Sequence, residues 1–150
     1  VSALRRGLDT NVLVYAHLPA FEEHPQIRAF LLEELRNPAV TLVITPTVLH
    51  EFVHVVTDLR RFESPLEMTE ALALARLYLG KSNVTCLSPD EAILLEAYEL
   101  LERHRLGRKR IADTVFAATL LHHGTHEIIT CNGSDFKIFE GLRVVDPLRS

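Results

Sequence analysis

The chain has 150 residues, is 47% apolar, carries a formal net charge of -4 and contains two cysteines. That length supports one domain over residues 1–150, burying about two thirds of the surface its unfolded chain exposes, while the negative charge excludes a broadly basic nucleic-acid coat and leaves only a local basic strip for such a partner. No apolar stretch approaches the roughly 20 residues of a membrane span, and VSALRRGLDT has no apolar signal core, so a cytoplasmic protein with no membrane partner is expected.

A first strand ends at Leu8, and QIRAFLLEEL forms a helix closed by Asn37-Pro38. VTLVIT (40–45) reads as a strand, and Thr45-Pro46 opens the helix that carries HEFVH (50–54). Ser64-Pro65-Leu66-Glu67 and Ser88-Pro89-Asp90-Glu91 each match a capping box with serine at the N-cap. The helices they open are expected to run toward Gly80 and Gly107, with VTCL (84–87) as a strand between them. The apolar segment IADTVFAATLL follows, then the strands EIITC (127–131) and LRVV (142–145). Cys86 and Cys131 sit in short apolar runs and are expected to be small buried hydrophobes, making neither a disulfide framework nor a zinc knuckle. Strands alternating with helices require crossover connections, hence an α/β fold with a mainly parallel sheet covered on both faces.

Ligands of an open parallel sheet bind beyond the carboxyl ends of its strands, where the chain turns into helices. Four acids arise there. Asp9 follows the first strand, Glu51 lies in the helix after VTLVIT, Asp113 near the start of IADTVFAATLL, and Asp135 after EIITC. Each has a plainer reading: Asp9 as a helix cap, Asp113 as a complement to a helix dipole, Asp135 as a turn residue. Asp113 fits its plain reading least, because a carboxylate in so apolar a helix is costly to bury without a partner. Four clustered carboxylates repel one another, and a divalent cation removes that cost. Oxygen-only ligands suit a hard ion such as Mg²⁺ or Mn²⁺, and such an ion beside phosphate points to metal-assisted phosphodiester hydrolysis.

LDTNVLVYA (8–16), TVLHEFVHV (47–55), RIADTVFAATLLHHG (110–124) and TCNGSDF (130–136) together resemble the motifs of the PIN-domain family and, within it, the VapC-like ribonuclease toxins. The resemblance covers almost the whole chain and makes Asp9, Glu51, Asp113 and Asp135 the catalytic, metal-binding quartet. It implies that Thr10 and Asn11 shape the first loop, and that Thr130 and Asn132 hold the last carboxylate in place. It also implies a three-layer α/β/α architecture with strand order 3-2-1-4-5, a homodimer, an RNA substrate cut to leave a 5′-phosphate and a 3′-hydroxyl, and a small VapB-like antitoxin partner. Gly133 departs from the pattern, since relatives often carry another acid there, and the choice between one ion and two stays open.

HEFVH also has the spacing of a zinc peptidase, with His50 and His54 as ligands and Glu51 as general base. On a helical wheel over 47–61, Glu51 lies at the border of the polar stripe and the histidines nearer its middle, and no third ligand follows at the peptidase spacing. Glu51 is therefore expected at the magnesium site and the histidines on a solvated or partner-facing surface. The run 103–110 holds five basic residues in eight. Arg105, Arg108, Lys109 and Arg110 either grip RNA phosphates or complement a helix carboxyl end. The expected activity is that of a Mg²⁺-dependent endoribonuclease of a toxin–antitoxin pair. The alternatives are an RNA-processing nuclease of the same fold without an antitoxin, a module that binds RNA or protein without cleavage, and, more remotely, the zinc peptidase.

Overall fold

The computed structural model describes residues 4–149; residues 1–3, within the VSALRRGLDT stretch, and residue 150 lie outside the described residues. Five strands, β1 (Leu4–Leu8), β2 (Val40–Ile44), β3 (Val84–Cys86), β4 (Glu127–Ile129) and β5 (Arg143–Val145), form one sheet in the order β3-β2-β1-β4-β5. Every pairing is parallel, with Gly7 opposite both Val43 and Ile128 and Leu8 opposite Ile129. Leu42, Val43 and Ile44 are fully buried, as expected of a strand covered on both faces. The α/β class and the order implied by the family resemblance are both borne out.

The helices are α1 (Thr10–His17), α2 (His24–Arg36), α3 (Pro46–Val56), α4 (Met68–Gly80), α5 (Glu91–Arg103) and α6 (Ile111–His122). They pack in two groups, α1 with α2 and α3 and α3 with α4, and separately α5 with α6, making the outer layers around the sheet. Leu8, Leu13, Phe52, Leu120, Ile128 and Phe136 are fully buried in the core between them. His17 on α1 contacts the Tyr78 hydroxyl of α4 at 2.6 Å, and burial lowers its pKa to about 4, so this link uses neutral imidazole at physiological pH. None of the described helices is long and apolar enough to cross a membrane.

Thr45 caps α3 as expected, its hydroxyl accepting from the Val48 amide at 3.3 Å, and Asn37 ends α2. The serine caps are corrected. Helix α4 starts at Met68 with Glu67 as N-cap, in a capping box with Glu70, and α5 starts at Glu91 with Asp90 accepting from the Ile93 amide at 3.0 Å. Helix α5 stops at Arg103 rather than near Gly107, because the Leu106 amide turns back to the Leu101 carbonyl at 2.9 Å with Arg105 at φ 53°. Helix α3 stops at Val56, so the wheel over 47–61 overran it, and Leu59 beyond its end is 80% exposed. Cys86 is another correction: at the edge strand β3 its side chain is exposed, whereas Cys131 is partly buried.

Candidate active site

Strand β1 delivers Asp9 to the sheet's carboxyl edge, where the extended backbone of an N-cap turns its side chain back onto α1. One carboxylate oxygen accepts from the Thr10 amide at 2.8 Å; the other accepts from the Thr130 hydroxyl at 2.8 Å and the Asn11 amide group at 3.3 Å. Asn11 in turn accepts from the Cys131 amide at 3.1 Å, so the loops after β1 and β4 are laced together. Asp9 is only 9% exposed. Burial raises its pKa, the Thr130 and Thr10 hydrogen bonds oppose that rise, and Glu51 and Asp135 add to it.

Glu51 comes from α3 and Asp113 from the first turn of α6. Two adjoining lobes of the cleft, about 120 and 210 Å³, share Asp9, Thr10, Glu51 and Asp113 as walls. Asp113 is pushed up to about 6, first by burial and then by the charges of Asp9 and Asp135, with Arg110 opposing. Asp135 closes the 3-10 turn Gly133–Asp135 and stands at the rim, with its side chain 41% exposed. It does not line either lobe, yet its charge acts on both Asp9 and Asp113. The structure thus gathers the four acids from four separate elements.

The supporting residues need one correction. The Thr130 hydroxyl donates to Asp9, the first carboxylate, and not to Asp135. The Asn132 backbone carbonyl accepts from the Asp135 amide at 3.0 Å, closing the turn, and the Asn132 backbone amide donates to the Thr130 hydroxyl. The basic run divides. Arg105, Arg108 and Lys109 are exposed, whereas Arg110 turns inward, donating to the Asp135 carbonyl and standing 3.9 Å from the Asp113 carboxylate and 4.0 Å from that of Asp135. Its Nε is buried without a hydrogen-bond partner. Turned inward with its side chain 25% exposed, Arg110 faces the site acids, and the structure sets it apart from the three exposed basic residues of the run.

His50 and His54 are exposed on α3, their rings stacked 6.4 Å apart. Neither lines the acidic lobes; His50 borders an apolar groove against α4. Among the described residues no three His, Cys, Asp or Glu side chains form a ready-made metal cage, so the histidine pair lacks the third ligand a zinc peptidase needs. The acids answer a different demand. Mg²⁺ keeps several waters and takes one or two carboxylates together with substrate phosphate, not a complete protein cage. The donor set of oxygen ligands, with two carboxylates destabilised by burial, fits a hard divalent cation. Sequence reasoning missed Tyr15 and Arg61, which line the larger lobe. Arg61 lies beyond the end of α3, where no helical period marks it, and Tyr15 lies one helical turn beyond Asn11, on the same face.

A parallel sheet in this order, with an acid-lined cleft at its carboxyl edge, defines an α/β protein whose candidate site lies beyond its strand ends. The chain belongs to the PIN-domain family, whose family model, described as PIN domain, matches residues 8–141. It is similar to Ribonuclease VapC24 of Mycobacterium tuberculosis, with 31% identity over 144 residues covering 96% of this chain and 97% of the relative. The fold is that of VapC20 of Mycobacterium tuberculosis, described as a sarcin-ricin loop cleaving toxin, at a TM-score of 0.67 and 18% identity over 91% of this chain and 98% of that one. VapBC2 from Rickettsia felis, solved bound to a promoter DNA fragment, matches at a TM-score of 0.64 and 20% identity over 95% and 98% of the two chains. The resemblance to VapC-like ribonucleases is borne out.

Proposed function

We propose that this chain is a single PIN-like nuclease domain acting as a metal-dependent endoribonuclease, the toxin of a VapBC-like pair, with Asp9, Glu51, Asp113 and Asp135 as its catalytic acids. The observation that carries this reading is the meeting of Asp9, Glu51 and Asp113 at one cleft from the end of β1, α3 and α6, with Asp135 at the rim, where its charge acts on Asp9 and Asp113. RNA as substrate is supported by the ribonuclease name of the relative. A small VapB-like antitoxin partner is supported by the likeness to VapBC2 of Rickettsia felis and to a toxin–antitoxin complex from Klebsiella pneumoniae. A cytoplasmic homodimer completes the proposal.

A bound Mg²⁺ or Mn²⁺ would supply charge that acidifies water and stabilises the leaving oxygen of the phosphodiester. Asp9 is the fixed member, its two oxygens held by Thr10, Asn11 and Thr130 so that its position does not depend on the ligand. Glu51 and Asp113 face it across the cleft and complete the negative wall. Arg110 pins Asp135 at the rim and offsets part of the repulsion among the acids. Incubation of RNA with and without Mg²⁺ tests the proposal. Asp9→Asn and Asp113→Asn should each slow cleavage by about 100-fold or more, while His50→Ala leaves it intact. Cleavage that survives chelation and either Asp change, yet falls with the His50 change, overturns the assignment.

A further inference from the structure

Beside the acidic cleft lies a second, larger cavity of about 550 Å³, between the turn after β4 and the end of β5. Asn132 lines both, so the two openings are separated by the width of one residue. The acidic cleft suits a cation, but this neighbour has the opposite sign. Lys137, Arg143 and Arg149 border it, against Asp146 as its only acid. Lys137 makes no ion pair among the described residues. Arg143 pairs with Glu127 at 2.8 Å and Arg149 with Asp146 at 3.6 Å, yet their side chains remain 66% and 84% exposed, leaving guanidinium donors open to solvent. Gly133 forms part of the wall, and a Cβ there would meet Val144 Cγ1 at 2.8 Å, so the backbone itself comes close to that side chain. Excess positive charge in a chain of net charge -4 selects for an anion at this place.

We infer that this cavity is the phosphate-binding subsite for the RNA strand flanking the scissile bond, with Lys137, Arg143 and Arg149 as its cations. The inference rests on the nuclease reading above and gives the strand a direction: it leaves the acids past Asn132 toward β5. The exposed Arg108 and Lys109, placed on the turn before α6, are the competing route. Arg110 does not belong to either, being engaged by Asp113 and Asp135.

Fluorescence anisotropy with a short labelled single-stranded RNA, on full-length chain carrying Asp113→Asn to prevent turnover, tests the assignment over roughly 50 to 200 mM KCl. Lys137→Gln with Arg149→Gln should weaken binding on the order of 10-fold and flatten the salt slope by about 1.4, the release expected for two single-strand phosphate contacts. Binding of Mn²⁺ alone, measured in the same double variant without Asp113→Asn, should match wild type and certify that the fold is kept. Unchanged affinity and slope, with the loss appearing instead in Arg108→Gln with Lys109→Gln, overturns the subsite. So does competition by polyglutamate as effective as that by unlabelled RNA, since it would mark a general anion surface. If wild type cleaves RNA while the cavity variants bind normally, only the subsite fails. If wild type neither binds nor cleaves RNA, the nuclease reading itself fails.

Discussion

Asp113 is the residue whose environment most directly reports the chemistry of the cleft. Its pKa of about 6 lies above the ordinary carboxylate value because burial, then Asp9 and Asp135, disfavour its charge more than Arg110 favours it. The consequence for stability has a definite sign. A carboxyl whose folded pKa is raised contributes stability that is complete below its unfolded value, and that contribution is lost as pH rises through about 6. Charged Asp113 therefore burdens the metal-free fold at neutral pH, and Asp113→Asn should raise the melting temperature at roughly pH 8 and much less at roughly pH 4. Mg²⁺ should narrow the gap at the higher pH by stabilising wild type more than the variant. A difference in melting temperature that stays flat across that range would show that neither burial nor the neighbouring acids raise the Asp113 pKa.

At the scale of single elements, the end of α5 makes a separate demand on the chain. The turn back of the Leu106 amide to the Leu101 carbonyl needs a left-handed residue, and Arg105 supplies it at φ 53°, where a side chain costs on the order of 1 kcal/mol. Arg105→Gly should relieve that strain and raise the unfolding free energy by up to about 1 kcal/mol, seen as a higher denaturant midpoint with an unchanged slope, the gain being reduced by the freer unfolded chain. A loss of stability would mean that the Arg105 side chain makes a compensating contact. The same element shows why some boundaries were legible and others were not. Gly107 looked like the stop because glycine usually takes the left-handed position, yet the turn closed two residues earlier. Thr45-Pro46 read correctly because its hydroxyl had no nearby rival as a cap. Ser64 and Ser88 each precede an acid able to do the same job. Past Ser64 the Leu66 amide reaches the Val56 carbonyl at 2.8 Å and keeps the chain extended, while past Ser88 the Asp90 carboxylate takes the Ile93 amide at 3.0 Å and sets the helix start. The four acids were legible because strand ends and helix starts are local signals. The inward turn of Arg110 and the choice of Asp9 by Thr130 were not, since each depends on where another element lies.

Across the whole molecule, the acids meet only because the layers stand at fixed separations, and at Gly7 a side chain of α6 lies close against the sheet. This residue sits in the central strand, paired on both sides, and a Cβ built on it would lie 2.5 Å from Leu120 Cδ1 and 2.9 Å from Cδ2. Leu120 is the end of a side chain, but it is fully buried and has no free space to swing into. Gly7→Ala must therefore push α6 away from β1, and those two elements carry Asp113 and Asp9. The cost should be about 1–3 kcal/mol in chemical denaturation, accompanied by weaker Mn²⁺ binding. Leu120→Ala alone should cost about 2–5 kcal/mol through the cavity it leaves. Combined, the added methyl occupies part of that cavity, so the double variant should be more stable than the sum of the single losses predicts by about 0.5–3 kcal/mol. Mn²⁺ affinity should recover in the same double variant, because α6 can return to its place against the sheet. Strict additivity of the two stability losses would mean that Gly7 and Leu120 do not set the distance between these layers, and the position of Asp113 over Asp9 would then need another cause.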